Sequence, residues 1–312
     1  MACDARGDSG AFGEYDVRVA RRKLSILVTG CNSGIGLELA RHFDAEGHTV
    51  FAATREGEQD SVLGTCSERV LPVPFEMSNS ASIDFLCERI SKKLGNAPLD
   101  VLINNAGIMT VGPIEGVTRD ELRRVFEINV FGTVGVTQAV LPLLRRSKDA
   151  RIVNILSVAS RVNAPFFGVY SMTKSSMLSF TKALRIELQA SGIRVVNVEP
   201  STVNTSGLAH LSEALAGAGK SLSPELAALY ANDLECVARW YRENRNHLPV
   251  SSVVSAVAKA VSDKRPKATY WVGAAAHLSY FAQKIFGENT MANLVRKSMG
   301  MRIRATGTRR GA

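Results

Sequence analysis

Tyr170 and Lys174 stand four residues apart in the stretch YSMTKSSMLSF, whose other side chains are mostly small or apolar. On a helix, residues i and i+4 lie on one face, roughly 5–6 Å apart at Cβ, so these two side chains would point the same way. A tyrosine has an unperturbed pKa of ~10, too high for a base at neutral pH, and a nearby ammonium group favours the phenolate. The spacing therefore predicts a proton-transferring pair, although either residue alone would be an ordinary helix-surface side chain.

A serine precedes this pair at the end of a predicted strand. Ser157 closes the apolar run ARIVNILS, thirteen residues before Tyr170. In open parallel sheets, ligands bind in the crevice outside the carboxyl ends of the strands, so this hydroxyl could hold a substrate oxygen. The alternative is a capping serine with no chemical role.

A glycine-rich turn follows the first predicted strand, LSILVTG. Glycines between a strand and a helix let backbone N–H groups approach a phosphate, and the helix N-terminus favours its negative charge. The spacing is GxxxGxG rather than the common GxGxxG, and the alternative is an ordinary tight turn. The predicted nucleotide contacts here are Gly30, Asn32, Ser33, Gly34, Ile35 and Gly36.

The second predicted strand ends in AATRE. An acidic residue at this place would bind the ribose hydroxyls of NAD, whereas an arginine suits the 2′-phosphate of NADP. Thr54 occupies the expected acidic position and Arg55 follows it, which predicts NADP(H) in preference to NAD(H). Alternatively, Arg55 is a plain surface residue and Glu56 supplies the acidic contact.

Strand and helix patterns alternate along the chain up to about Pro200. Strands that are apolar throughout must be buried on both faces, so the alternation predicts an α/β protein with a parallel sheet covered by helices on both sides. The stretch ATYWVG, residues 268–273, supplies a seventh strand. The two longest helices are predicted over about 119–146 and 170–191.

The composition of the chain argues against several classes of protein. The chain has 312 residues, 46% hydrophobic and 21% charged, and its five cysteines contain no CxxC pair, which argues against a metal site or a disulfide framework. The polar first residues lack the core of a secretory signal, and no uncharged apolar run reaches ~18 residues, so we expect a cytoplasmic protein. The net charge is +9, but no aromatic residues interleave the basic ones, so no nucleic-acid partner is expected.

Six motifs in order make the chain resemble the short-chain dehydrogenases/reductases over about residues 24–206. They are TGCNSGIG, NNAG, INVFG, NILSVAS, YSMTK and EPSTVNT. The resemblance implies one Rossmann-like domain that interconverts an alcohol and a carbonyl with NAD(P). It implies that Tyr170 is the general acid/base, that Lys174 lowers the pKa of this tyrosine and holds the ribose, that Ser157 orients the substrate, and that Asn129 supports a proton relay through water.

The resemblance also implies further cofactor contacts, at Glu76, Asn105, Ala106, Gly107, Tyr170, Lys174, Pro200, Val203 and Thr205. Three positions depart from the family pattern, and at one of them Leu156 replaces a common serine beside Ser157. Glu76 stands where an aspartate near the adenine is usual, and Ser201 replaces the glycine that usually follows the proline after the sixth strand.

Two short segments, VVNVEPS and KRPKATYWVG, resemble the retinol and hydroxysteroid dehydrogenase branch and imply a hydrophobic alcohol or ketone. The expected domains are a flexible leader at 1–22, a catalytic domain at 23–277 with a substrate lid at about 206–250, and a helical extension with a basic tail at 278–312. The leucines of the lid could equally be the core face of a helix.

Partners and alternatives follow from the same features. The two long helices have apolar residues beyond one sheet-facing stripe, and in the family they commonly form the contact of a homodimer or homotetramer.

Residues 278–304 mix apolar and basic side chains, which is typical either of a weak membrane-surface contact or of a packed end. A different class of function also stays open, a catalytically idle NADP(H)-binding sensor or scaffold.

Overall fold

Seven parallel strands form one sheet in the order β3-β2-β1-β4-β5-β6-β7. The computed structural model describes residues 22–58, 64, 66–244 and 247–301, so most of the predicted leader and the end of the basic tail lie outside the described residues. The strands are β1 (Ser25–Thr29), β2 (Thr49–Thr54), β3 (Val70–Pro74), β4 (Val101–Asn104), β5 (Arg151–Ile155), β6 (Arg194–Pro200) and β7 (Thr269–Val272). The order reverses beside β1, between β2 and β4, which confirms the predicted doubly wound sheet.

Ten α-helices lie in the described part of the chain. They are α1 (Gly34–Ala45), α2 (Ser80–Leu94), α3 (Arg119–Phe126), α4 (Thr133–Leu144), α5 (Gly168–Glu187), α6 (Ser206–Ala209), α7 (Leu211–Gly217), α8 (Pro224–Glu243), α9 (Val250–Ser262) and α10 (Ala274–Ser298). Two apolar clusters cover the two faces of the sheet. One joins the strands to α1 and α9, and the other joins them to α2, α4 and the end of α5.

The long helix predicted over about 119–146 is not regular. A π-helical segment, Glu127–Gly132, separates α3 from α4 and contains Asn129. Such π segments occur mostly as short bulges and frequently at functional sites. Within the described residues, the stretch Arg119–Leu144 is long and apolar enough to cross a membrane, by length and composition alone. Its buried residues Val136, Val140, Leu143 and Leu144 pack against one face of the sheet.

The C-terminal helix α10 is interrupted at Gly287, whose φ of +70° is not helical. Before this break, Tyr280 and Phe281 contact Trp271 of β7. After it, Val295 packs with Met299 and Met301 against a third apolar cluster formed by α7 and α8. The predicted extension therefore contacts the sheet and two helices of the predicted lid.

Candidate active site

Two adjoining cavities lie at the carboxyl edge of the sheet. The first has a volume of about 530 Å³ and lies at the ends of β1, β2 and β4. The second, of about 330 Å³, lies at the ends of β5 and β6. Ile35, Asn105, Gly107 and Thr205 line both, so a bound molecule could extend from one cavity into the other. This is the edge at which ligands bind in open parallel sheets.

The glycine turn is held tightly at the mouth of the first cavity. Gly30 has a φ of +75°, and its N–H donates to the Ala53 carbonyl oxygen at 3.0 Å. A Cβ at Gly36 would collide with the Gly30 carbonyl oxygen, because α1 starts directly against the turn. Gly36 therefore permits the close packing of strand and helix and lies behind the cavity wall rather than on it.

Most of the predicted cofactor contacts line the first cavity. These are Gly30, Asn32, Ser33, Gly34, Ile35, Thr54, Arg55, Glu76, Asn105, Ala106, Gly107 and Thr205. The Thr54 hydroxyl is buried and, within the described part of the chain, has no hydrogen-bond partner. An unpaired buried hydroxyl beside a helix N-terminus fits a polar, anionic ligand such as a dinucleotide.

Some predicted contacts have a structural role. The Asn105 side chain donates to the carbonyl oxygens of Thr29 and Gly30, at 2.9 and 3.2 Å, and so fixes the turn. The Glu76 carboxylate accepts from the Ser78 N–H and hydroxyl, at 3.3 and 3.0 Å, at the rim of the cavity. Pro200 and Val203 line the second cavity instead of the first.

Glu58 is an addition that the sequence did not indicate. Its carboxylate accepts from Asn32 Nδ2 at 2.7 Å and from Arg55 Nη2 at 3.1 Å. Arg55 also donates its backbone N–H to Asn32 Oδ1 at 3.2 Å. A negative charge thus sits between the two side chains predicted to meet the cofactor.

The predicted catalytic side chains meet in the second cavity. Ser157, Tyr170 and Lys174 all line it. Tyr170 and Lys174 lie in the first turns of α5, and Lys174 Nζ is 5.6 Å from the centre of the Tyr170 ring. The ammonium donates to the Ile155 carbonyl oxygen at 3.0 Å, which anchors it to β5. The Ser157 side chain lies close enough to Tyr170 to favour its phenolate slightly.

Burial dominates the acidity of both ionisable groups. It raises the pKa of Tyr170 to about 12, and the nearby Ser157 side chain offsets only part of that rise. It lowers the pKa of Lys174 to about 8, because the ammonium is desolvated. The predicted lowering of the tyrosine pKa is therefore wrong for the protein without cofactor: the desolvation of the phenolate outweighs the favourable contacts.

Asn129 lies behind the cavities and joins three elements. Its Oδ1 accepts the Ile108 N–H at 2.8 Å, and its Nδ2 donates to the Ile108 carbonyl oxygen at 2.8 Å and to the Thr173 hydroxyl at 3.1 Å. Since Thr173 precedes Lys174 on α5, the asparagine connects the loop after β4 to the helix that carries Tyr170 and Lys174. These bonds use both amide hydrogens, and the water relay stays a prediction.

The rest of the second cavity is largely apolar. Its walls include Val158, Val162, Ala164, Phe167, Leu208 and Leu211. Tyr241 of α8 is a further lining residue that the sequence did not single out, and its ring lies 5.3 Å from that of Phe167. Leu208, Leu211 and Tyr241 all come from the segment predicted as a lid. Only the fold could identify Tyr241, because it is 71 residues beyond Tyr170.

A family model described as short chain dehydrogenase matches residues 24–216. Estradiol 17-beta-dehydrogenase 2 from Mus musculus is 30% identical over 266 residues, which cover 81% of this chain and 69% of that protein. D-beta-hydroxybutyrate dehydrogenase, mitochondrial, from Rattus norvegicus is 31% identical over 79% of this chain and 76% of its own. Retinol dehydrogenase 5 from Mus musculus is 30% identical over 80% of each chain.

A solved short-chain dehydrogenase from Streptomyces avermitilis shares the fold, with a TM-score of 0.73 and 24% identity, over 90% of this chain and 98% of that one. The predicted sheet and family are thus confirmed, as is similarity to the retinol and hydroxysteroid dehydrogenase branch. The chain belongs to the short-chain dehydrogenase/reductase family and is an NAD(P)-dependent oxidoreductase that acts on alcohol or ketone substrates.

Proposed function

We propose that this enzyme interconverts a hydrophobic alcohol and its ketone or aldehyde with NADP(H), and that Tyr170 is the general acid/base. The observation that carries the proposal is the meeting of Ser157, Tyr170 and Lys174 in the second cavity, with the Lys174 ammonium 5.6 Å from the centre of the phenol ring. A substrate oxygen within reach of both hydroxyls would lie beside the opening to the first cavity.

The roles of the side chains follow from their positions. In the reductive direction, Ser157 hydrogen-bonds the carbonyl oxygen, and Tyr170 gives its proton to that oxygen. A phenol with a pKa of about 12 is protonated at neutral pH and ready to act as this acid. The Lys174 ammonium stabilises the phenolate left behind. The nicotinamide, when bound, supplies or accepts the hydride.

The choice of NADP(H) is supported by Thr54 and Arg55. Thr54 carries no charge that would repel a 2′-phosphate, and the Arg55 guanidinium lines the first cavity. Glu58 opposes this choice as long as its carboxylate remains on Arg55 and Asn32. For NADP(H) to bind as proposed, this carboxylate must move aside or share the arginine with the phosphate.

A hydrophobic substrate is supported by the largely apolar walls of the second cavity, which Tyr241 also lines. The names of relatives span a steroid, a retinoid and a short hydroxy acid, so the substrate must be found by assay. We expect turnover with ring-containing ketones, and little with hydroxybutyrate.

The deciding experiment measures NADPH and NADH oxidation by wild-type protein with a panel of ketones that runs from short keto acids to steroid ketones. Ser157→Ala is measured beside it, because it removes one hydroxyl and little else. NADPH binding without turnover on any carbonyl would favour the idle sensor. Equal use of both cofactors would contradict the proposed preference.

We also infer a homodimer or homotetramer that uses the faces of the π segment and α5. Phe131 and Met172 are large apolar residues exposed on these elements, at 58% and 44%. Light scattering at micromolar concentration should give at least twice the mass of one chain. Phe131→Asp should lower that mass, and an unchanged monomer for wild type would contradict the inference.

We also propose that the protein is cytoplasmic and makes a weak contact with a membrane surface through α10. Leu278 and Ile285 are 71% and 74% exposed on α10, at helical spacing. Leu278→Ser with Ile285→Ser should reduce pelleting with anionic vesicles. Ile186→Ser is the control, because that isoleucine is equally exposed on a different helix. Equal pelleting of all proteins would contradict the contact.

A further inference from the structure

A buried ion pair lies beside the second cavity and takes no part in the chemistry proposed above. Arg161 donates through Nε and Nη2 to the two Glu199 carboxylate oxygens, at 2.7 and 2.9 Å. The Glu199 side chain is 2% exposed and that of Arg161 is 17% exposed. Taking two charges out of water is expensive, so such a pair is weak evidence of a gain in stability and calls for another explanation.

The arginine is joined to the catalytic serine by one short turn. Ser157 precedes the 3₁₀ turn Val158–Ser160, and its Oγ accepts the Ala159 N–H at 3.1 Å. The Ser160 hydroxyl donates to the Ser157 carbonyl oxygen at 2.6 Å. Arg161 follows this turn directly, and its N–H donates to the Val158 carbonyl oxygen at 3.0 Å. A shift of the Arg161 backbone would therefore move the Ser157 hydroxyl.

The glutamate is joined to the other wall of the cavity. Glu199 is the residue before Pro200 at the end of β6, and both Pro200 and Ser201 line the second cavity. The strand is held on one side by β5 and on the other by β7, where Glu199 lies opposite Trp271. The ion pair therefore connects the serine turn to a rigid strand end.

Tyr280 of α10 covers the arginine from outside. Its ring centre is 5.2 Å from the Arg161 guanidinium carbon, and it also lies 4.8 Å from the Trp271 ring. A guanidinium over an aromatic face is attracted to it, by about 0.5–2 kcal/mol depending on desolvation. Strand β6, strand β7, helix α10 and the serine turn thus form a closed ring of contacts around the ion pair.

We propose that Arg161 and Glu199 are positioning residues that set the Ser157 hydroxyl relative to the end of β6, and that Tyr280 makes the C-terminal helix part of this support. The inference rests on the proposed role of Ser157 in orienting the substrate. A planar, bidentate arginine suits the task, because its fork fixes both distance and direction to the carboxylate.

The first test separates positioning from stability. Arg161→Met and Glu199→Gln should lower kcat by roughly 10–100-fold, the range expected when a reacting group is displaced by about 1 Å, without weakening NADPH binding measured by fluorescence. Arg161→Met leaves a buried unpaired carboxylate and should also lower Tm. The double variant Arg161→Met with Glu199→Leu should regain much of the Tm but keep the low kcat. A kcat that recovers together with Tm would overturn the proposal.

The second test asks whether the arginine acts through the serine. In a Ser157→Ala background, Arg161→Met should lower kcat little further, because the group that it positions is already gone. Additive losses would overturn the proposal. If Ser157→Ala alone leaves kcat unchanged, the proposed function of Ser157 fails instead, and the two failures are distinguished.

Two controls complete the design. Arg22→Met breaks another arginine pair to a buried carboxylate, Arg22–Asp100 at 2.6 Å, at the opposite edge of the sheet. It should lower Tm and leave kcat near wild type. Tyr280→Leu should lower kcat about 2–10-fold by releasing the guanidinium, whereas Phe281→Leu, in the same aromatic cluster, should not. If Tyr280→Leu and Phe281→Leu have equal kcat, the supporting role proposed for α10 is wrong.

Discussion

The two adjoining cavities are built in different ways. The first has the glycine turn after β1 along one wall, and residues at the ends of β2, β3 and β4 supply much of the rest. The second gathers side chains from β5, α5, the loop after β6 and α8. The difference suggests that changes in the first cavity alter mainly cofactor affinity, and changes in the second alter mainly turnover. Substitutions in each cavity test whether cofactor affinity and turnover can be changed separately.

Tyr170→Phe should have the largest effect and should be confined to turnover. The ring and its packing remain while the proton donor is lost, so kcat should fall at least ~10²–10⁴-fold. NADPH affinity and Tm should stay near wild type, as measured by fluorescence titration and thermal melting. If Tyr170→Phe turns over like wild type, Tyr170 is not the general acid/base and the proposed mechanism is wrong.

Lys174→Ala should affect both cofactor affinity and turnover, because Lys174 is predicted to hold the ribose and to stabilise the Tyr170 phenolate. It should weaken cofactor binding and shift the pH dependence of alcohol oxidation. Oxidation needs the phenolate, and the ammonium favours it only while protonated, that is below the Lys174 pKa of about 8. The rate deficit should therefore be greatest below about pH 8 and shrink above it, in rate profiles from pH 6 to 10. A deficit that stays constant with pH would contradict this role.

Gly36→Ala should weaken cofactor binding about ten-fold or more, with little direct effect on the catalytic groups. The new Cβ has no room beside the Gly30 carbonyl oxygen, so the turn must shift. Gly217→Ala at the end of α7 is the matched control, since its Cβ would meet no atom within 4 Å. If both variants bind NADPH equally by titration, the turn is not the phosphate site.

The smallest effect should come from changing charge at the first cavity. Glu58→Gln should tighten NADPH binding several-fold at low ionic strength and leave NADH binding unchanged, because it removes a charge beside Arg55. Thr54→Asp should reverse the preference toward NADH. Weaker NADH binding by Glu58→Gln would mean that Glu58 serves the ribose hydroxyls, and NAD(H) would then be the better assignment.

Particular residues indicate how far sequence reasoning could reach. Tyr170 and Lys174 were found because a helix fixes the relative position of residues four apart. The sheet followed from strand alternation. The π segment at Asn129 and the partners of its amide were not predictable, since they depend on the neighbouring loop and helix. Glu58, Tyr241 and the Arg161–Glu199 pair were missed because no local pattern marks them.

The amino-acid sequence by itself determined the glycine turn, the four-residue spacing of Tyr170 and Lys174, and the alternation of strands and helices that makes the sheet parallel. These depend on local conformation and on short repeats of polarity, which act within a few residues. Tertiary structure alone decided which distant side chains enclose the pair and how deeply they bury it. Burial sets the solvation of a charge, and it is why the pKa of Tyr170 rises and that of Lys174 falls.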